Sequence, residues 1–315
     1  MSNCLFCYQP LAANEQDFHA SCSKKIFGQP TPPDLPYSEE DLEPLAKKVI
    51  QSQTSVTGVQ AKLSLHITGN QKEGNERRFT IVGLWGGYLL KPPTALYPQL
   101  PEVEDVTMHL AQLAKIKTAP HCLIRLQSGN LAFVTKRIDR TKNGKLAMED
   151  MCQLTERLTE DKYHGSYEQI AKAIQRHSVT PGLDVVNFFE LVLFSFLTGN
   201  ADMHLKNFSL LEQPGLGMVL SPAYDLVNTA LVHPADEEEM ALTLNGRKKK
   251  LTKQDFVAAM NTLKLEEKQQ EMIFNKMAKA WPQWQELIDR SFMSVEFKEQ
   301  YKSLLKERMN RIKQL

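Results

Sequence analysis

The feature that most constrains this chain is a long apolar run that ends abruptly in polar residues. Residues 185–197 are almost continuously apolar, and Gly199, Asn200 and Asp202 follow at once. A run of this length and character is typical of a buried helix. The helix must therefore deliver polar side chains to its own end, where they serve either chemistry or helix capping.

The spacing within this polar stretch favours chemistry. In phosphoryl transfer, a carboxylate must reach the substrate hydroxyl while an amide five positions later helps to hold the metal, and Asp202 and Asn207 have this separation. Residues 208–211 and 218–220 predict a hairpin that carries the chain back and supplies a second carboxylate, Asp225. Each of these residues alone is more often a turn or helix-terminus residue. The prediction rests on their combination.

The N-terminal residues 1–28 predict a small metal-binding unit. Two pairs of metal-ligand residue types, each pair three positions apart, are separated by a short loop: Cys4, Cys7, His19 and Cys22. This spacing is typical of a tetrahedral zinc site. A closed Cys3His set leaves no open position, so such a zinc would be structural. The alternative is a group of free buried thiols beside a chance histidine. Residues 29–37, rich in proline, predict an extended linker.

A polar loop and a lysine predict a nucleotide-binding lobe at residues 38–138. The loop contains Ser55, Val56, Thr57 and Gly58 and runs into an alternating strand, a layout that suits backbone N–H groups and hydroxyls facing phosphate. A plain Ser/Thr turn would have the same composition.

Lys91 ends an apolar strand, where an alpha/beta-phosphate contact would need it, although lysines at sheet edges are common. The helix predicted at 100–117 offers Glu102 and Glu104 as ion-pair partners for Lys91. Two hairpins are predicted in this lobe, 78–84 with 88–91 and 121–126 with 131–136.

The remainder, residues 139–315, predicts a helical lobe, so the fold class is α+β with two lobes. Its predicted helices are 147–159, 167–177, 184–197, 255–263, 266–280 and 297–315. One further hairpin is predicted at 240–244 with 248–251, around Asn245-Gly246. The basic run 247–250 is more typical of a solvated face than of a binding site.

The net charge, the cysteine count and the N-terminal pattern limit the partners and the compartment that we expect for this protein. A net charge of +1 gives no electrostatic reason to expect nucleic acid or an anionic membrane. Five cysteines, an odd number, fit a reducing compartment better than a disulfide framework. The N-terminus has no signal-peptide pattern, and the strongest apolar run is too short to span a bilayer. We therefore expect a cytoplasmic protein with no membrane partner.

Taken together, the ordered motifs resemble the HipA-like serine/threonine kinases over roughly residues 40–310. The motifs are Ser55-x-Thr57-Gly58-x-Gln60-x-Lys62, Leu90-Lys91-Pro92, Lys136-Arg137-Ile138-Asp139-Arg140, Gly199-Asn200-Ala201-Asp202-Met203-His204-Leu205-Lys206-Asn207-Phe208 and Ala223-Tyr224-Asp225-Leu226. The resemblance implies a two-lobed fold akin to protein kinases and phosphoinositide kinases. It also implies the use of ATP and Mg2+, and a toxin of a toxin–antitoxin system that phosphorylates an aminoacyl-tRNA synthetase.

The same resemblance implies roles for individual residues. Asp202 is expected to be the catalytic base, Asn207 and Asp225 to hold Mg2+, and Lys91 to contact the ATP phosphates. Glu104, or with less support Glu102, resembles the glutamate of the positioning helix. Nucleotide contacts are also implied for His204, Lys206 and the loop residues Ser55, Val56, Thr57 and Gly58. That loop resembles one that autophosphorylates, with Ser55 as the best match to the acceptor and Thr57 second.

About fifty residues precede the phosphate loop, which resembles the short HipT form of the family. That form implies a HipS-like small protein and a HipB-like helix-turn-helix antitoxin as partners, with DNA reached only through the antitoxin. It also suggests tryptophanyl-tRNA synthetase as the substrate. The alternatives are a secreted HipA-like effector kinase, a catalytically silent kinase-fold binding module, and a small-molecule kinase.

Overall fold

The chain folds into two compact units of mixed helix and antiparallel sheet. The computed structural model describes residues 2–52, 62–69, 77–82, 85–235 and 237–313. The first unit comprises Met1–Asp105, Ala119–Ile138 and Arg290–Phe292, and the second comprises Val106–Thr118, Asp139–Asp289 and Met293–Leu315. The fold class is α+β, as the sequence predicts.

The first unit is built on a five-stranded antiparallel sheet with the strand order β2-β1-β3-β5-β4. The strands are β1 (Leu63–Thr68), β2 (Arg78–Ile81), β3 (Tyr88–Lys91), β4 (His121–Arg125) and β5 (Leu131–Lys136). Its helices are α1 (Ala20–Phe27), α2 (Glu39–Ser52) and the start of α3 (Leu100–Leu113).

An aromatic cluster fixes α1 against this sheet. Phe27 packs edge-on against Phe79 at 5.7 Å between ring centroids, and Phe79 packs against Tyr88 at 5.4 Å. The hydroxyl of Tyr88 donates to the carbonyl of Ile26 at 3.0 Å. Such edge-to-face pairs stabilise a core beyond the area that they bury. The end of α1 is therefore part of the core of the first unit.

One of the two predicted hairpins of this lobe is confirmed and the other is wrong. Strands β4 and β5 pair directly, with Leu123 opposite Phe133. In contrast, β2 and β3 do not pair with each other, because β1 lies between them and pairs with both. Strands that are neighbours in sequence pair in only about two-thirds of cases. Here β1, with Leu63 and Leu65 fully buried, lies between β2 and β3 instead.

The second unit combines helices with a three-stranded sheet of order β10-β9-β8 and a small two-stranded ribbon. The ribbon strands are β6 (Arg140–Thr141) and β7 (Gly144–Lys145), and the sheet strands are β8 (Met148–Asp150), β9 (Ser209–Gln213) and β10 (Gly217–Leu220). The helices are α4 (Met151–Leu154), α5 (Tyr167–His177), α6 (Pro181–Leu197), α7 (Thr229–Val232), α8 (Lys253–Thr262), α9 (Glu267–Arg290) and α10 (Val295–Lys313).

Most of the predicted elements of this lobe are confirmed, including α5 and the β9–β10 hairpin. The predicted helix at 147–159 is wrong, because Met148–Asp150 pairs with β9 and only Met151–Leu154 is helical. Asp150 ends the strand and caps α4 through a capping box with Gln153.

Two further differences arise from long-range contacts. The hairpin predicted at 240–251 is confirmed only at its turn: an antiparallel Leu244–Arg247 bridge encloses Asn245-Gly246, but neither predicted strand forms in this described stretch, and Thr243 bridges Ser166. Helix α9 continues ten residues beyond the predicted end, through Pro282 to Arg290. Its extension is packed: the indole N–H of Trp284 donates to the carbonyl of Leu110 at 2.9 Å. Within the described part of the chain, no helix has the length and apolar character that a membrane crossing requires.

Candidate active site

The end of α6 creates the first part of the site. Gly199 turns the chain with a φ of +70°, a conformation that glycine adopts without steric cost. A Cβ at this position would lie 2.8 Å from the side-chain oxygen of Asn228, so a larger residue does not fit. The amide of Asn200 donates to the carbonyl of Ser195 at 2.8 Å. The helix therefore stops abruptly and the next residues leave its axis.

Thr229, at the start of α7, fastens this turn from a second element. Its hydroxyl accepts from the amide of Ala201 at 2.8 Å and donates to the carbonyl of Gly199 at 3.1 Å. The carbonyl of Gly199 also accepts from the amide of Ala230 at 3.1 Å, so polar groups at the end of the helix find their partners in α7. The backbone that carries Asp202 is thus held on two sides.

Asp202 and Asn207, the predicted base and amide, are linked directly. The amide group of Asn207 donates from Nδ2 to the backbone carbonyl of Asp202 at 2.7 Å, and Asn207 is 6% exposed. The amide of Asp202 donates to Oδ1 of Asn200 at 3.1 Å. Because its nitrogen is committed to Asp202, Asn207 keeps its carbonyl oxygen as the end that can bind a cation.

The carboxylate of Asp202 is reachable from solvent. Its side chain is 46% exposed, and Oδ1 accepts a hydrogen bond of 2.6 Å from the phenol of Tyr163. A carboxylate with one oxygen held and an accessible side chain can accept a proton from an approaching hydroxyl. Sequence reasoning missed Tyr163. The only signal was its position in the polar stretch 161–166 between helical segments.

The imidazole ring of His204 lies next to the Asp202 carboxylate and is uncharged. Its Nε2 lies 3.9 Å from Oδ1 of Asp202, and its ring packs edge-on against Tyr163 at 4.9 Å. Burial lowers the pKa of His204 to about 4, although the charges of Asp202 and Asp225 act to raise it. At neutral pH the histidine is therefore uncharged and does not itself neutralise the carboxylate of Asp202.

Asp225 is brought back towards Asn207 by the β9–β10 hairpin. The preceding residue, Tyr224, donates its phenol to the carbonyl of Lys206 at 3.1 Å and contacts the hydroxyl of Ser209 at 2.5 Å. Lys206 and Ser209 lie on either side of Asn207 and Phe208. Tyr224, the residue before Asp225, is therefore hydrogen-bonded to the chain on both sides of Asn207. Asp225 itself has a φ of +60°, a backbone conformation that few non-glycine residues adopt.

A buried aspartate anchors the hairpin and was also missed. Oδ2 of Asp184, in the first turn of α6, accepts from the amide of Leu220 at 2.8 Å and from the hydroxyl of Thr180 at 3.1 Å. Asp184 is 4% exposed, so these bonds offset the cost of burying its charge. In the sequence it was indistinguishable from an ordinary helix-start aspartate.

Lys206, which the resemblance assigns to the nucleotide, is held within the second unit. Its ammonium lies 2.7 Å from Oδ2 of Asp150, the residue that caps α4. The pair is partly exposed, with Lys206 at 36% and Asp150 at 15%. Such a pair fixes the direction of the lysine more than it stabilises the fold.

The first unit holds the predicted lysine and glutamate as a buried ion pair. Nζ of Lys91 lies 2.5 Å from Oε1 of Glu104, and the two side chains are 5% and 2% exposed. The ammonium also lies 5.5 Å from the ring centroid of Phe133. The pairing glutamate is thus Glu104 and not Glu102. The loop residues Ser55, Val56, Thr57 and Gly58 lie outside the described residues.

The donor atoms suit the cofactors that the resemblance implies. The carbonyl oxygen of Asn207 and the carboxylate of Asp225 are hard oxygen ligands of the kind that Mg2+ prefers. The N-terminal candidates Cys4, Cys7, His19 and Cys22 also come together, with their ligand atoms within 4.8 Å of one another. This is a chemically different site, built from sulfur and nitrogen.

An α+β chain with a carboxylate and an amide five residues apart at the end of a buried helix, and a buried lysine–glutamate pair beside a sheet, has the features of a kinase-like fold. Residues 54–285 match the HipA-like C-terminal domain. The chain belongs to this family.

Related curated proteins are named putative kinases. The chain is 32% identical over 234 residues to "putative kinase Y4dM" of Sinorhizobium fredii, which covers 70% of this chain and 55% of that protein. It is 29% identical over 250 residues to a "putative kinase" of Haemophilus influenzae, covering 73% and 69%. The match thus spans about half the length of the Sinorhizobium relative.

Solved structures show the same fold. The HipA chain in a Shewanella oneidensis complex of HipA, HipB and operator DNA matches with a TM-score of 0.67 and 22% identity, covering 85% of this chain and 70% of that one. The Helicobacter pylori proinflammatory kinase CtkA matches with a TM-score of 0.53 and 17% identity, covering 71% and 87%.

Proposed function

We propose that this chain is a Mg-ATP-dependent serine/threonine protein kinase. The observation that carries the proposal is the link between Asp202 and Asn207, which fixes a proton acceptor and a metal ligand on one short segment. Phosphoryl transfer needs little covalent help from a protein, and positioning with charge stabilisation supplies most of the catalysis.

The proposed mechanism assigns each residue one task. The hydroxyl oxygen of a serine or threonine forms a bond to the γ-phosphorus of ATP while the bond to the ADP oxygen breaks, and the hydroxyl proton passes to the carboxylate of Asp202. Oxygens of Asn207 and Asp225 would hold Mg2+, which would neutralise charge on the transferred phosphoryl group. Lys91, oriented by Glu104, contacts the ATP phosphates.

The surroundings of Asp202 support its role as the acceptor. Tyr163 holds Oδ1, so Oδ2 is the oxygen that would receive the proton of the incoming hydroxyl. His204 stays neutral because burial lowers its pKa, so it does not compete as a cation for the carboxylate.

We further propose that the kinase is the toxin of a HipBST-like toxin–antitoxin system in the cytoplasm. A protein target such as an aminoacyl-tRNA synthetase, a HipS-like small protein and a HipB-like antitoxin that reaches DNA are the partners consistent with the family. The fold shared with a HipA that was solved with HipB and operator DNA supports the antitoxin. Autophosphorylation at Ser55 or Thr57 would place close to two negative charges on a loop that faces ATP phosphates, and the repulsion would switch the kinase off.

The first test is phosphotransfer by the purified full chain with ATP and Mg2+. We expect phosphate on Ser55 or Thr57 and on a protein target, located by mass spectrometry. Asp202→Asn should lower the rate by about 10²- to 10⁴-fold, the range measured for loss of an acid–base group. Its thermal unfolding should match that of the wild type, since the Asp202 side chain is 46% exposed.

A matched control is Asp161→Asn, which removes a nearby carboxylate that is 43% exposed and pairs with His164. It should leave the rate unchanged. An Asp202→Asn variant that keeps the wild-type rate would sink the assignment. A wild-type chain that consumes no ATP would favour a silent binding module, and consumption only with small alcohols would favour a small-molecule kinase.

A further inference from the structure

The four N-terminal ligand candidates form a compact donor set that the kinase chemistry does not use. Cys4, Cys7, His19 and Cys22 each point one donor atom into a common space, with all four atoms within 4.8 Å of one another. All three cysteines are free thiols. Three sulfurs and one nitrogen at this spacing are the ligand set of a closed, four-coordinate zinc site.

The histidine ring is oriented for coordination through Nδ1. That atom lies 3.5 Å from Sγ of Cys7 and 3.7 Å from Sγ of Cys22. The other nitrogen, Nε2, lies 3.1 Å from the carbonyl oxygen of Pro10. A carbonyl oxygen only accepts, so Nε2 carries the proton and Nδ1 presents a lone pair to the sulfurs. A carbonyl that fixes the tautomer of a ligating histidine is the usual outer contact of a metal site.

The local backbone presents the ligands in two pairs. The amide of Tyr8 donates to the carbonyl of Cys4 at 2.9 Å, which closes a tight turn that carries Cys4 and Cys7. His19 precedes α1, and Cys22 lies in the first turn of that helix. A turn and a helix start that face each other can supply two ligands each.

The turn is fastened to the rest of the first unit by the residue that follows Cys7. Tyr8 is fully buried, and its phenol donates to Oδ2 of Asp105 at 2.6 Å. The other oxygen of Asp105 lies 2.7 Å from Nδ1 of His121. Asp105 lies in the first half of α3, next to Glu104, which pairs with Lys91. The metal-ligand turn therefore contacts the helix that orients the buried lysine.

Both ends of residues 1–28 pack against the sheet of the first unit. Phe27, at the end of α1, packs against Phe79 and Tyr88 of the sheet. The cysteine turn joins the same core, where Cys4 and Leu5 are fully buried, and the amide of Leu123 donates to the carbonyl of Leu5 at 3.1 Å. Residues 1–28 are too few to build a core of their own, and a bound metal would add folding energy to these contacts.

We propose that Cys4, Cys7, His19 and Cys22 bind one structural Zn2+ ion, and that this ion fixes Tyr8 and, through Asp105, the start of α3. Binding converts three thiols to thiolates and releases their three protons to solvent. The ion has no open coordination position, so it takes no part in phosphoryl transfer. The inference does not depend on the proposed kinase activity.

The first experiment measures metal in the full chain, purified without a metal-affinity tag. Elemental analysis should return close to one zinc per chain, and replacement by Co2+ should give the visible absorption of a tetrahedral thiolate site. Cys7→Ala should lose most of the zinc. The control Cys152→Ala, which removes a buried thiol of the second unit, should keep it. Zinc well below one per chain in the wild type, with Cys4 and Cys22 freely alkylated or joined in a disulfide, would overturn the site.

The second experiment tests the link to α3 by amide hydrogen exchange. Removal of zinc with a chelator should speed exchange in residues 3–11 and in the first half of α3 by about tenfold or more, which corresponds to a local loss of about 1.4 kcal/mol. Peptides from β3 and the end of α1 should change little. Tyr8→Phe should keep one zinc per chain and still speed exchange in α3. If exchange in α3 is unchanged both in the zinc-free chain and in Tyr8→Phe, the link to α3 is refuted even if zinc is bound. This experiment does not depend on the folding of Cys7→Ala.

Discussion

The buried pair Lys91–Glu104 and the linked pair Asp202–Asn207 solve different physical problems. In the first unit, lysine and glutamate are 5% and 2% exposed and satisfy each other's charge. In the second, the carboxylate of Asp202 is 46% exposed, and the buried partner is an uncharged amide. A buried charge depends on its partner, whereas an accessible one stays solvated. The first pair therefore contributes to folding as well as to any function, whereas the exposed carboxylate of Asp202 can be altered at little cost to the fold.

The largest expected effect on stability is at Lys91. Lys91→Met removes the ammonium that pairs with the buried carboxylate of Glu104, and removal of one member of a buried pair costs about 3–5 kcal/mol. Urea unfolding of the full chain, measured in the same way for variant and control, gives the loss. The control is Lys302→Met, which breaks an exposed pair with Asp289 and should cost under about 1 kcal/mol.

A double variant sharpens the result at Lys91. Lys91→Met combined with Glu104→Leu removes both charges, so part of the lost stability should return. If the single variants at Lys91 and Lys302 cost the same, the distinction between the buried and the exposed pair is wrong.

A smaller effect is expected at His204, and it depends on pH. The pKa is about 4 in the folded chain, because burial disfavours the cation, and about 6.5 when the chain is unfolded. Between these values the unfolded chain binds more protons, so stability is present above pH 6.5 and is lost as the pH falls towards 4.

Between pH 7 and pH 5, the wild type should therefore lose about 2 kcal/mol more than His204→Gln. Urea unfolding in EDTA at the two pH values measures the difference. His164→Gln, which replaces a histidine that is 78% exposed, should behave like the wild type. Parallel pH profiles for wild type and His204→Gln would show that the ring is not held neutral.

The smallest of these effects is expected at Tyr224, whose phenol ties the residue before Asp225 to the segment of Asn207. Tyr224→Phe removes its bonds to the Lys206 carbonyl and the Ser209 hydroxyl, at a cost of about 1–2 kcal/mol. Affinity for Mg2+ should weaken as well, because the two ligand residues are no longer tied together. Titration calorimetry measures that affinity, and an unchanged value would contradict the proposed metal pair.

Much of the second unit follows from local patterns. The helical period predicted α5 at 167–177, the range that the structure shows. The apolar strands on either side of Pro214-Gly215 predicted the β9–β10 hairpin. These elements form because residues close in sequence decide their period and turns. The helix predicted at 147–159 failed for the opposite reason, since Met148–Asp150 pairs with β9, which lies some sixty residues away.

The candidate site divides in the same way. The residue types and spacing of Asp202 and Asn207 were readable in the sequence, but Tyr163 was not, because its bond to Asp202 joins residues 39 positions apart. In the sequence Asp184 resembles an ordinary helix-start aspartate, whereas in the structure it accepts a hydrogen bond from the amide of Leu220. In both cases the missing information was the partner, which no local pattern specifies.

The sequence by itself determined the donor atoms and their intervals: the carboxylate and amide after the apolar run, the lysine at a strand end and the two ligand pairs near the N-terminus. Short intervals along a chain set geometry directly, because a turn or a helix has a fixed rise per residue. Only the tertiary structure decided that Glu104 and not Glu102 meets Lys91, and that β1 separates β2 from β3. Those outcomes depend on which side chains are buried together, and burial is a property of the packed molecule.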